Sequence, residues 1–520
     1  MVSWKKLITP PGKSPKDIKE WLGLITDAIK GIKGSENWYD DVTLLTSDSI
    51  VNDLETGGID KTLSSEQGKI LNQNINNLSN KVQTQQTIIE EVTEQMDTNK
   101  NLDLTIRKGG IITQPSIFSF PYDIKVYDNL SNFKLNYEIE DFLGQVKGKI
   151  LFVDWENGND SNDGLWWGTA LKTLGKANEL GYGILYIKQG NYGKDSENWR
   201  YPVDNNCKVI SVGGKSNMFM GWTGDYKEWT QEDKSFYASA NMSTLINVYD
   251  TTKLNTDNYK EPSKLSLVAS IQDCKDTSGS YFYDTTNKKL YIHTRDNRKP
   301  DRGIMVITSK SPILALQDTN ITNSRKYYFE NISFLQGAVI SSSSLEKNIF
   351  AGFRNCDFSY STYTNGFNVT GNAFTYCENC VSEYNYADGF NYHDTNNLGC
   401  LMIEVNCIGR HNGQGKNDNI NNGSTLHEAI KGIRVGGTYH NNEGRNVHDI
   451  NDSMSWNVGC NAFDSVAIST EARQDFVSWN QAKMWLDKCG GGVLDTPVGE
   501  DANLYVRNCV YDKASNIETY

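Results

Sequence analysis

Two pairs of aspartates recur at the same interval in the last part of the sequence. Asp464 and Asp487 are 23 residues apart, as are Asp452 and Asp475. Equivalent positions on adjacent turns of a stacked β structure lie about 5 Å apart, near the carboxyl separation of retaining glycosidases. Two carboxyl groups that close do not ionise together easily, which suits acid–base catalysis. We interpret both pairs as candidate catalytic groups; the alternative is that they are surface or corner acids.

Histidines are concentrated in one part of the chain. Five of the six lie between residues 393 and 448, a stretch that also contains His427-Glu428 and His448-Asp449. If these side chains converge on one face, a histidine–carboxylate general base or a metal site becomes available. The stretch has no HExxH or other close ligand spacing, so solvated loop histidines are the alternative. The sequence predicts neither a bound metal nor a cofactor.

The stretch NCVSEYNYADGFNYHD, residues 379–394, combines acids, aromatic residues and a histidine. Its Asn-Cys start, Asn385 and the Gly-Phe pair return elsewhere in the chain, so they are explained as scaffold. The positions that do not recur, together with nearby histidine, acid and tryptophan residues, form the predicted substrate-binding set: Glu383, Asp388, His393, Asp394, His427, Glu428, Trp456 and Trp479.

A repeat of about 23 residues accounts for the scaffold positions. Similar segments start at residues 355, 379, 406, 451, 474 and 508: NCDFSYS, NCVSEYN, NCIGRHN, NDSMSWN, QDFVSWN and NCVYDKA. A period of this length indicates a solenoid, and short strands without helical periodicity favour a parallel β-helix. Stacked turns would form a buried cysteine column, an aromatic column and an asparagine ladder. The predicted ladder is Asn385, Asn412, Asn457 and Asn480, and the predicted aromatic column is Tyr360, Tyr384, His411, Trp456 and Trp479.

Helical signals are found in the first hundred residues. Residues 15–33 predict a short amphipathic helix, which is too short to be stable alone and so is expected to dock on another surface. From Leu71 to Met96, positions follow steps of four and three, an a/d seam more than three heptads long. This seam favours a self-associating coiled coil over a single helix lying on a domain.

Composition argues against several classes of function. A net charge of −13 argues against a groove for nucleic acid. The chain has no apolar stretch of about 18 residues, so no membrane insertion is predicted, and its first residues do not form a secretory signal. The 10 cysteines are therefore predicted to be reduced and buried.

The segment VNDLETGGIDKTLSSEQGKIL, residues 51–71, resembles a phrase near the start of many bacteriophage tail-fibre and tailspike proteins. In that family the phrase leads into a trimeric stalk. The resemblance implies a homotrimer in the phage tail of the virion, made in the host cytoplasm. It also implies that residues 1–45 anchor the chain to other phage tail proteins.

Residues 150–192 are similar to the opening of pectate-lyase-like right-handed β-helix proteins, with a strand, an Asp/Asn/Gly turn, a KTL helix and a second strand. The oxygens of such a turn suit calcium, although Asp and Asn beside Gly are also turn formers. The turn residues are Asp154, Asn157, Asn159, Asp160, Asn162 and Asp163.

These features predict a mainly β chain: a right-handed parallel β-helix with an N-terminal α-helical anchor and a trimeric coiled-coil stalk. The predicted parts are a virion-anchoring segment (1–45), a linker and stalk (46–100), a neck (101–149), the start of the β-helix (150–215), a β-rich insertion (216–310) and the β-helix body (311–520).

The two resemblances imply a tail fibre or tailspike subunit that attaches to the host by binding a bacterial surface polysaccharide. Depolymerisation of that glycan, by hydrolysis or elimination, is left open by the sequence. The alternative is a non-catalytic structural fibre or adaptor that links other tail proteins.

Overall fold

The computed structural model describes residues 110–129, 132–199, 205–254, 262–413, 421–467, 473–495 and 503–520. The chain divides into two compact units, Met1–Asn99 and Lys100–Tyr520. The predicted anchor helix, the heptad seam and the phrase at 51–71 belong to the first unit and lie outside the described residues. They stay predictions.

The first described segment forms a three-stranded antiparallel sheet and a short helix. Glu138 and Asp141 form a capping box at the start of this helix, which buries Ile139, Phe142 and Leu143. The elements are β1 Gly110–Thr113, β2 Lys125–Asp128, β3 Phe133–Leu135 and α1 Ile139–Leu143.

Residues 150–219 form the first coils of the body, with elements β4 Ile150–Val153, α2 Leu174–Leu180, β5 Ile184–Lys188, β6 Asn191–Gly193, α3 Lys194–Glu197, β7 Cys207–Val212 and β8 Ser216–Phe219. Thr173 caps α2 by accepting the Lys176 amide at 3.1 Å. In the preceding turn, Asp160 accepts the amides of Lys172 and Thr173, both at 2.9 Å. Turn formation therefore accounts for this acid.

Residues 221–307 form two mainly antiparallel sheets of five and four strands. Their elements are β9 Gly221–Thr223, β10 Thr230–Glu232, β11 Ser235–Ser239, β12 Asn247–Leu254, β13 Pro262–Lys264, β14 Ser266–Leu267, α4 Ile271–Asp276, β15 Ser280–Asp284, β16 Lys289–His293 and β17 Ile304–Ile307. Strands β15 and β16 pair as an antiparallel hairpin in this region. Trp222, Trp229 and Phe236 are buried together in the core of this region.

The rest of the chain repeats short strands. They are β18 Leu314–Gln317, β19 Arg325–Glu330, β20 Ile332–Leu335, β21 Ala338–Ser342, β22 Ile349–Arg354, β23 Asp357–Ser359, β24 Phe367–Gly371, β25 Ala373–Glu378, β26 Val381–Glu383, β27 Phe390–His393, β28 Leu401–Val405, β29 Ile408–Arg410, β30 Ser424–His427, β31 Lys431–Val435, β32 Thr438–His440, β33 Val447–Asp449, β34 Met454–Val458, β35 Asn461–Phe463, β36 Phe476–Ser478, β37 Lys483–Asp487, β38 Gly490–Asp495, β39 Asn503–Arg507, β40 Val510–Ser515 and β41 Ile517–Thr519.

These strands pair in parallel with their counterparts in neighbouring coils and form three ladders. Ladder 1 is the sheet of 12 strands from β4 to β41. Ladder 2 runs from β6 and β8 through β20, β23, β26, β29, β32 and β35 to β38 and β40, and ladder 3 runs from β18 through β21, β24, β27, β30, β33 and β36 to β38. From β19 to β36 each coil contributes one strand to each ladder, so the body is a parallel β-helix; its handedness stays a prediction. No helix in the described part of the chain is long and apolar enough to span a membrane.

The repeat of about 23 residues is confirmed, but its predicted phase is wrong for the segments at 451 and 474. From β22 to β39 each ladder 1 strand is followed by a left-handed residue and then by the start of ladder 2, at 355, 379, 406, 436, 459, 488 and 508. The segment 451–457 instead runs into β34 of ladder 1, and 474–480 contains β36 of ladder 3. In the true phase the thiol column is Cys356, Cys380, Cys407, Cys460, Cys489 and Cys509, with Gly437 in one coil; all of these thiols are buried except that of Cys509, which is half-buried.

The asparagine ladder is also confirmed in part and shifted in part. Asn385 donates to Asn412 at 2.9 Å, and Asn412 donates to Asn442, not to Asn457, at 2.9 Å. The row continues from Asn442 to Asn446 at 2.8 Å. All four amides are fully buried. The first two hydrogen bonds hold a corner of one coil against the next, whereas the bond from Asn442 to Asn446 lies within one coil.

The outer face of ladder 1 is apolar because residues 112–143 cover it. The ring centroid of Phe118 lies 6.4 Å from that of Trp456 and 5.8 Å from that of Trp485. Phe142 packs on Phe374 at 4.9 Å. From β22 to β37 both faces of ladder 1 are therefore largely buried, whereas ladders 2 and 3 present polar and aromatic side chains outward.

Candidate functional site

A stripe of half-exposed or exposed aromatic side chains runs along the end of ladder 2. We call this set the aromatic stripe: Tyr360, Tyr384, His411, His440 and Phe463. Consecutive ring centroids are 5.7, 5.0, 5.8 and 5.1 Å apart. All contacts are parallel stacks except that between His411 and His440, which is edge-on.

The stripe follows from the backbone at this corner. Tyr360, Tyr384 and His411 have φ values of 60°, 54° and 52°, so each follows its ladder 2 strand in a left-handed turn. In the next coils Asn441 and Asp464 take the left-handed position, and the aromatic residue moves one place earlier, to the last strand position. The stacking is therefore kept although the sequence motif changes.

The ring of Phe463 is open on one side. The next coil pairs Gly491 with Ala462 and continues with Gly492, so it adds no side chain at these two positions. A Cβ on Gly492 would lie 2.5 Å from Asp475 Oδ2, which explains the glycine there. Phe463 is 40% exposed. An aromatic ring beside open space and carboxylates can bind the apolar face of a polar ring while oxygens bind its hydroxyl groups.

Charged side chains line the stripe. Glu383 accepts Arg410 Nε at 2.6 Å, and one step along the same ladder Lys215 contacts Asp357 at 2.6 Å. Burial raises the pKa of Glu383, and the Arg410 charge opposes that rise. The predicted substrate residue Glu383 thus lies beside the stripe, held by an ion pair.

Asp464 and Asp475 come close together at the Phe463 end of the stripe. Asp475 is 4% exposed and accepts Asn446 Nδ2 at 2.6 Å and the Val493 amide at 2.8 Å. Burial raises the pKa of Asp475, and the charge of Asp464, itself exposed, adds to that rise. The structure therefore separates the members of both predicted pairs, but it places Asp464 of one pair near Asp475 of the other.

The predicted pairing of Asp464 with Asp487 is wrong. Asp487 lies in register with Val458 and Arg507 in ladder 1, where it is buried and accepts Trp456 Nε1 at 2.8 Å. The pairing of Asp452 with Asp475 is also wrong, because Val447 pairs with Phe476 and Asp452 is an exposed turn residue. Both errors come from the shifted phase of the repeat.

Neither predicted tryptophan stacks in the aromatic column. Trp456 is fully buried beneath residues 112–143, so its predicted contact with substrate is wrong. Trp479 follows ladder 3, where the Arg445 guanidinium lies 4.2 Å from its ring centroid and His448 meets it edge-on at 4.9 Å. Trp479 stays half-buried on the surface of the body.

Two predicted substrate-binding acids instead hold the backbone. Asp388, 6% exposed, accepts the Asn422 amide at 2.6 Å. Asp394, 3% exposed, accepts the amides of Gly399 and Cys400 at 2.8 and 3.1 Å. Their oxygens point to loops of the body, so the prediction that they face a ligand is wrong.

Three of the predicted residues meet on ladder 3. His393 and His427 pair in register, and their rings stack at 4.1 Å with 9° between planes. The carboxylate of Glu428 contacts His393, with Oε2 of Glu428 3.1 Å from Nδ1 of His393. Burial, followed by the nearby His393, lowers the pKa of His427 to about 3, so its imidazole is neutral. We call these residues the histidine cluster.

Sequence reasoning missed a charged network inside the coil. Arg434 and Asp449 are fully buried and 3.1 Å apart, and Ser424 links Arg434 Nε to Glu404 at 2.9 Å on each side. The sequence signal was present, since Glu404 and Arg434 occupy one position of adjacent ladder 1 strands. This signal was missed because inward positions of a coil were expected to hold uncharged residues.

Comparisons with known proteins give distant likenesses. No family model and no curated protein matches the chain. Similar solved structures include a glycoside hydrolase (10% identity, 70% of this chain, 96% of the other, TM-score 0.39) and pectate lyase Pel9A (11%, 72%, 80%, TM-score 0.31). A tailspike of Acinetobacter baumannii bacteriophage AP22 in complex with capsular saccharide is also similar (11%, 66%, 65%, TM-score 0.24). At these identities and scores no function is carried over to this chain.

Proposed function

We propose that this chain is a subunit of a bacteriophage tail fibre or tailspike that binds a bacterial surface polysaccharide along the aromatic stripe. The observation that carries the proposal is the run of stacked aromatic side chains across five coils, which ends at the open ring of Phe463. A surface with one aromatic position per coil suits a long, repetitive ligand better than a compact one.

The chemistry of the stripe fits a glycan. Sugar rings have apolar faces that pack on aromatic rings and hydroxyl edges that bond to carboxylates, guanidinium groups and imidazoles. The stripe supplies both, with Glu383 and Arg410 beside Tyr384 and His411. The resemblance of residues 51–71 to tail-fibre proteins supports a role in host attachment, in a homotrimer anchored through residues 1–45.

Binding to purified capsular and lipopolysaccharide glycans from candidate hosts tests the proposal. Phe463→Ala removes the open ring, and we expect it to weaken binding by about tenfold, the equivalent of about 1.4 kcal/mol. Tyr363→Ala is the matched control, since Tyr363 is 70% exposed and lies outside the stripe. Equal losses in both variants would contradict the proposal. Absence of binding to every glycan would favour the alternative, a non-catalytic structural fibre or adaptor between other tail proteins.

A second candidate function is depolymerisation of the bound glycan. The observation that favours it is the proximity of Asp475, whose pKa is raised, to the exposed Asp464 beside Phe463. A carboxyl group whose pKa is raised suits the role of general acid in a pair of carboxyl groups.

New reducing ends or unsaturated uronates after incubation with the glycan would show cleavage. In that case Asp464→Asn should lower the rate by at least about a hundredfold, the scale of general acid–base catalysis. Asp452→Asn is the control, because Asp452 is exposed in a turn outside the stripe. Cleavage at an unchanged rate in the Asp464 variant would remove this pair from the mechanism.

A further inference from the structure

The histidine cluster on ladder 3 lies outside the aromatic stripe and has chemistry of its own. His393, His427 and Glu428 each offer one ligand atom, and the three atoms lie within 4.8 Å of one another. All three residues are half-exposed, so a small ion can reach them from solvent. Because the stripe does not include them, a ligand of this cluster would bind whether or not the stripe binds a glycan.

The backbone at Glu428 is unusual for its residue type. Glu428 has a φ of 57°, a left-handed conformation that disfavours side chains with a Cβ. The corresponding residues of the next two coils are Asn451 and Asn480, with φ values of 63° and 58°. Asparagine adopts this conformation more readily than glutamate, so a glutamate here is the costlier choice. Its carboxylate, turned back toward His393 of the preceding coil, is what an asparagine could not supply.

We infer that His393, His427 and Glu428 bind a divalent transition-metal cation of the Zn²⁺ class. Two imidazoles and one carboxylate are a ligand set that zinc uses when it keeps a further position open. Calcium and magnesium prefer oxygen ligands, so a site with two nitrogen donors selects against them.

Binding requires a modest closure of the cluster. Zinc bonds of about 2.0–2.1 Å place tetrahedral ligand atoms about 3.3 Å apart, which is within the 4.8 Å limit that contains the three ligand atoms here. His393 and Glu428 have side chains that are 28% and 40% exposed, so their rotamers can change without repacking the core. His427 is the more enclosed ligand, stacked on the ring of His393. The hydrogen bond between His393 and Glu428 is exchanged for two bonds to the metal.

Zn²⁺ titration of the full chain, after removal of bound metal by a chelator, tests the inference. We expect one equivalent to bind by calorimetry and to raise the Tm, because a ligand that binds the folded state stabilises it. Ca²⁺ at the same concentration should leave the Tm unchanged. His427→Ala should lower Zn²⁺ affinity by at least about tenfold, whereas His411→Gln, which removes a half-exposed imidazole outside the cluster, should leave it unchanged.

Glu428→Asn separates a metal site from a structural hydrogen bond. Asparagine suits the left-handed backbone, so we expect the metal-free Tm of this variant to equal or exceed that of the unmodified chain while the Zn²⁺-induced rise is lost. The inference is overturned if Zn²⁺ raises the Tm of Glu428→Asn and His427→Ala as much as that of the unmodified chain. It is overturned equally if Zn²⁺ binds no more tightly than Ca²⁺.

Discussion

At the scale of single residues, Asn412 shows how one amide joins two coils. Its side chain donates to Ser382 O at 3.1 Å and to Asn442 Oδ1 at 2.9 Å, and accepts from Asn385. Every one of these partners is buried, and a buried polar group that loses its partner keeps the full cost of its desolvation.

We therefore expect Asn412→Ala to lower the free energy of unfolding by about 2–4 kcal/mol, since several buried partners are left unsatisfied at about 1–3 kcal/mol each. Denaturant unfolding followed by tryptophan fluorescence measures the change. Asn368→Ala serves as control, because Asn368 is half-exposed on ladder 3. A loss below about 1 kcal/mol at Asn412 would show that water replaces the amide.

At the scale of elements, the buried charges of ladders 1 and 3 do not balance. Arg434 offers one positive charge to two carboxyl groups, those of Asp449 and Glu404. Burial raises the pKa of Glu404, and the charge of Arg434 only partly offsets the rise. Glu404 therefore adds to the free energy of unfolding at pH values below the pKa that it has in the unfolded chain. This contribution is lost as the pH rises through its higher pKa in the folded chain.

Glu404→Gln removes this titration, so the Tm of the variant should rise relative to that of the unmodified chain as pH increases from about 4 to 8. The measurement is thermal unfolding of both proteins across that pH range, compared as a difference at each pH. A difference that stays constant with pH would mean that the pKa of Glu404 is the same in the folded and the unfolded chain. Arg434→Met is expected to cost about 3–5 kcal/mol, because it leaves Asp449 buried without its partner.

The segment that covers ladder 1 offers a second prediction at this scale. Phe118→Ala removes a ring that packs on Trp456 and Trp485. The loss should lower the free energy that holds residues 112–143 on ladder 1 by about 3 kcal/mol or more. Hydrogen exchange of residues 110–128 should speed up in this variant. Its neighbour Ile117 is 61% exposed, so Ile117→Ala should leave the exchange unchanged. Equal protection in both variants would show that other residues hold the segment.

At the scale of the whole molecule, assembly is predicted to depend on the heptad seam. Light scattering should give the mass of three chains for the full protein and of one chain after deletion of residues 67–97, because the a/d positions would then be lost. A trimer that survives the deletion would place the contacts in the body. The body on its own should keep its β circular dichroism signal in either case.

Much of the body could be predicted from sequence, and the limit has a physical cause. The Asn-Cys motif located the coils at 355, 379 and 406, because a left-handed turn favours asparagine and a narrow core accepts a thiol. At 436 glycine takes the turn, and a Cβ on Gly437 would lie 2.6 Å from Tyr439 Oη. Because glycine adopts the left-handed turn as readily as asparagine, this coil forms without the Asn-Cys motif.

The candidate sites could be predicted less well for the same reason. The sequence singles out Tyr384, His411, His393 and Glu428 in coils whose predicted phase is right, whereas it does not single out Phe463, which lies in a coil whose predicted phase is wrong. The cover over Trp456 could not be predicted at all, since it depends on residues more than three hundred positions earlier.

The cysteine column has a consequence for recovery from damage. All 10 cysteines are free and nine are buried, so in the folded chain they are shielded from oxidants. Unwinding even two coils would bring neighbouring thiols such as Cys356 and Cys380 into contact with dissolved oxygen at once, and a disulfide between them would trap the opened coils. The chain should therefore lose its fold irreversibly after heating in air, yet regain it after the same heating in a reducing medium.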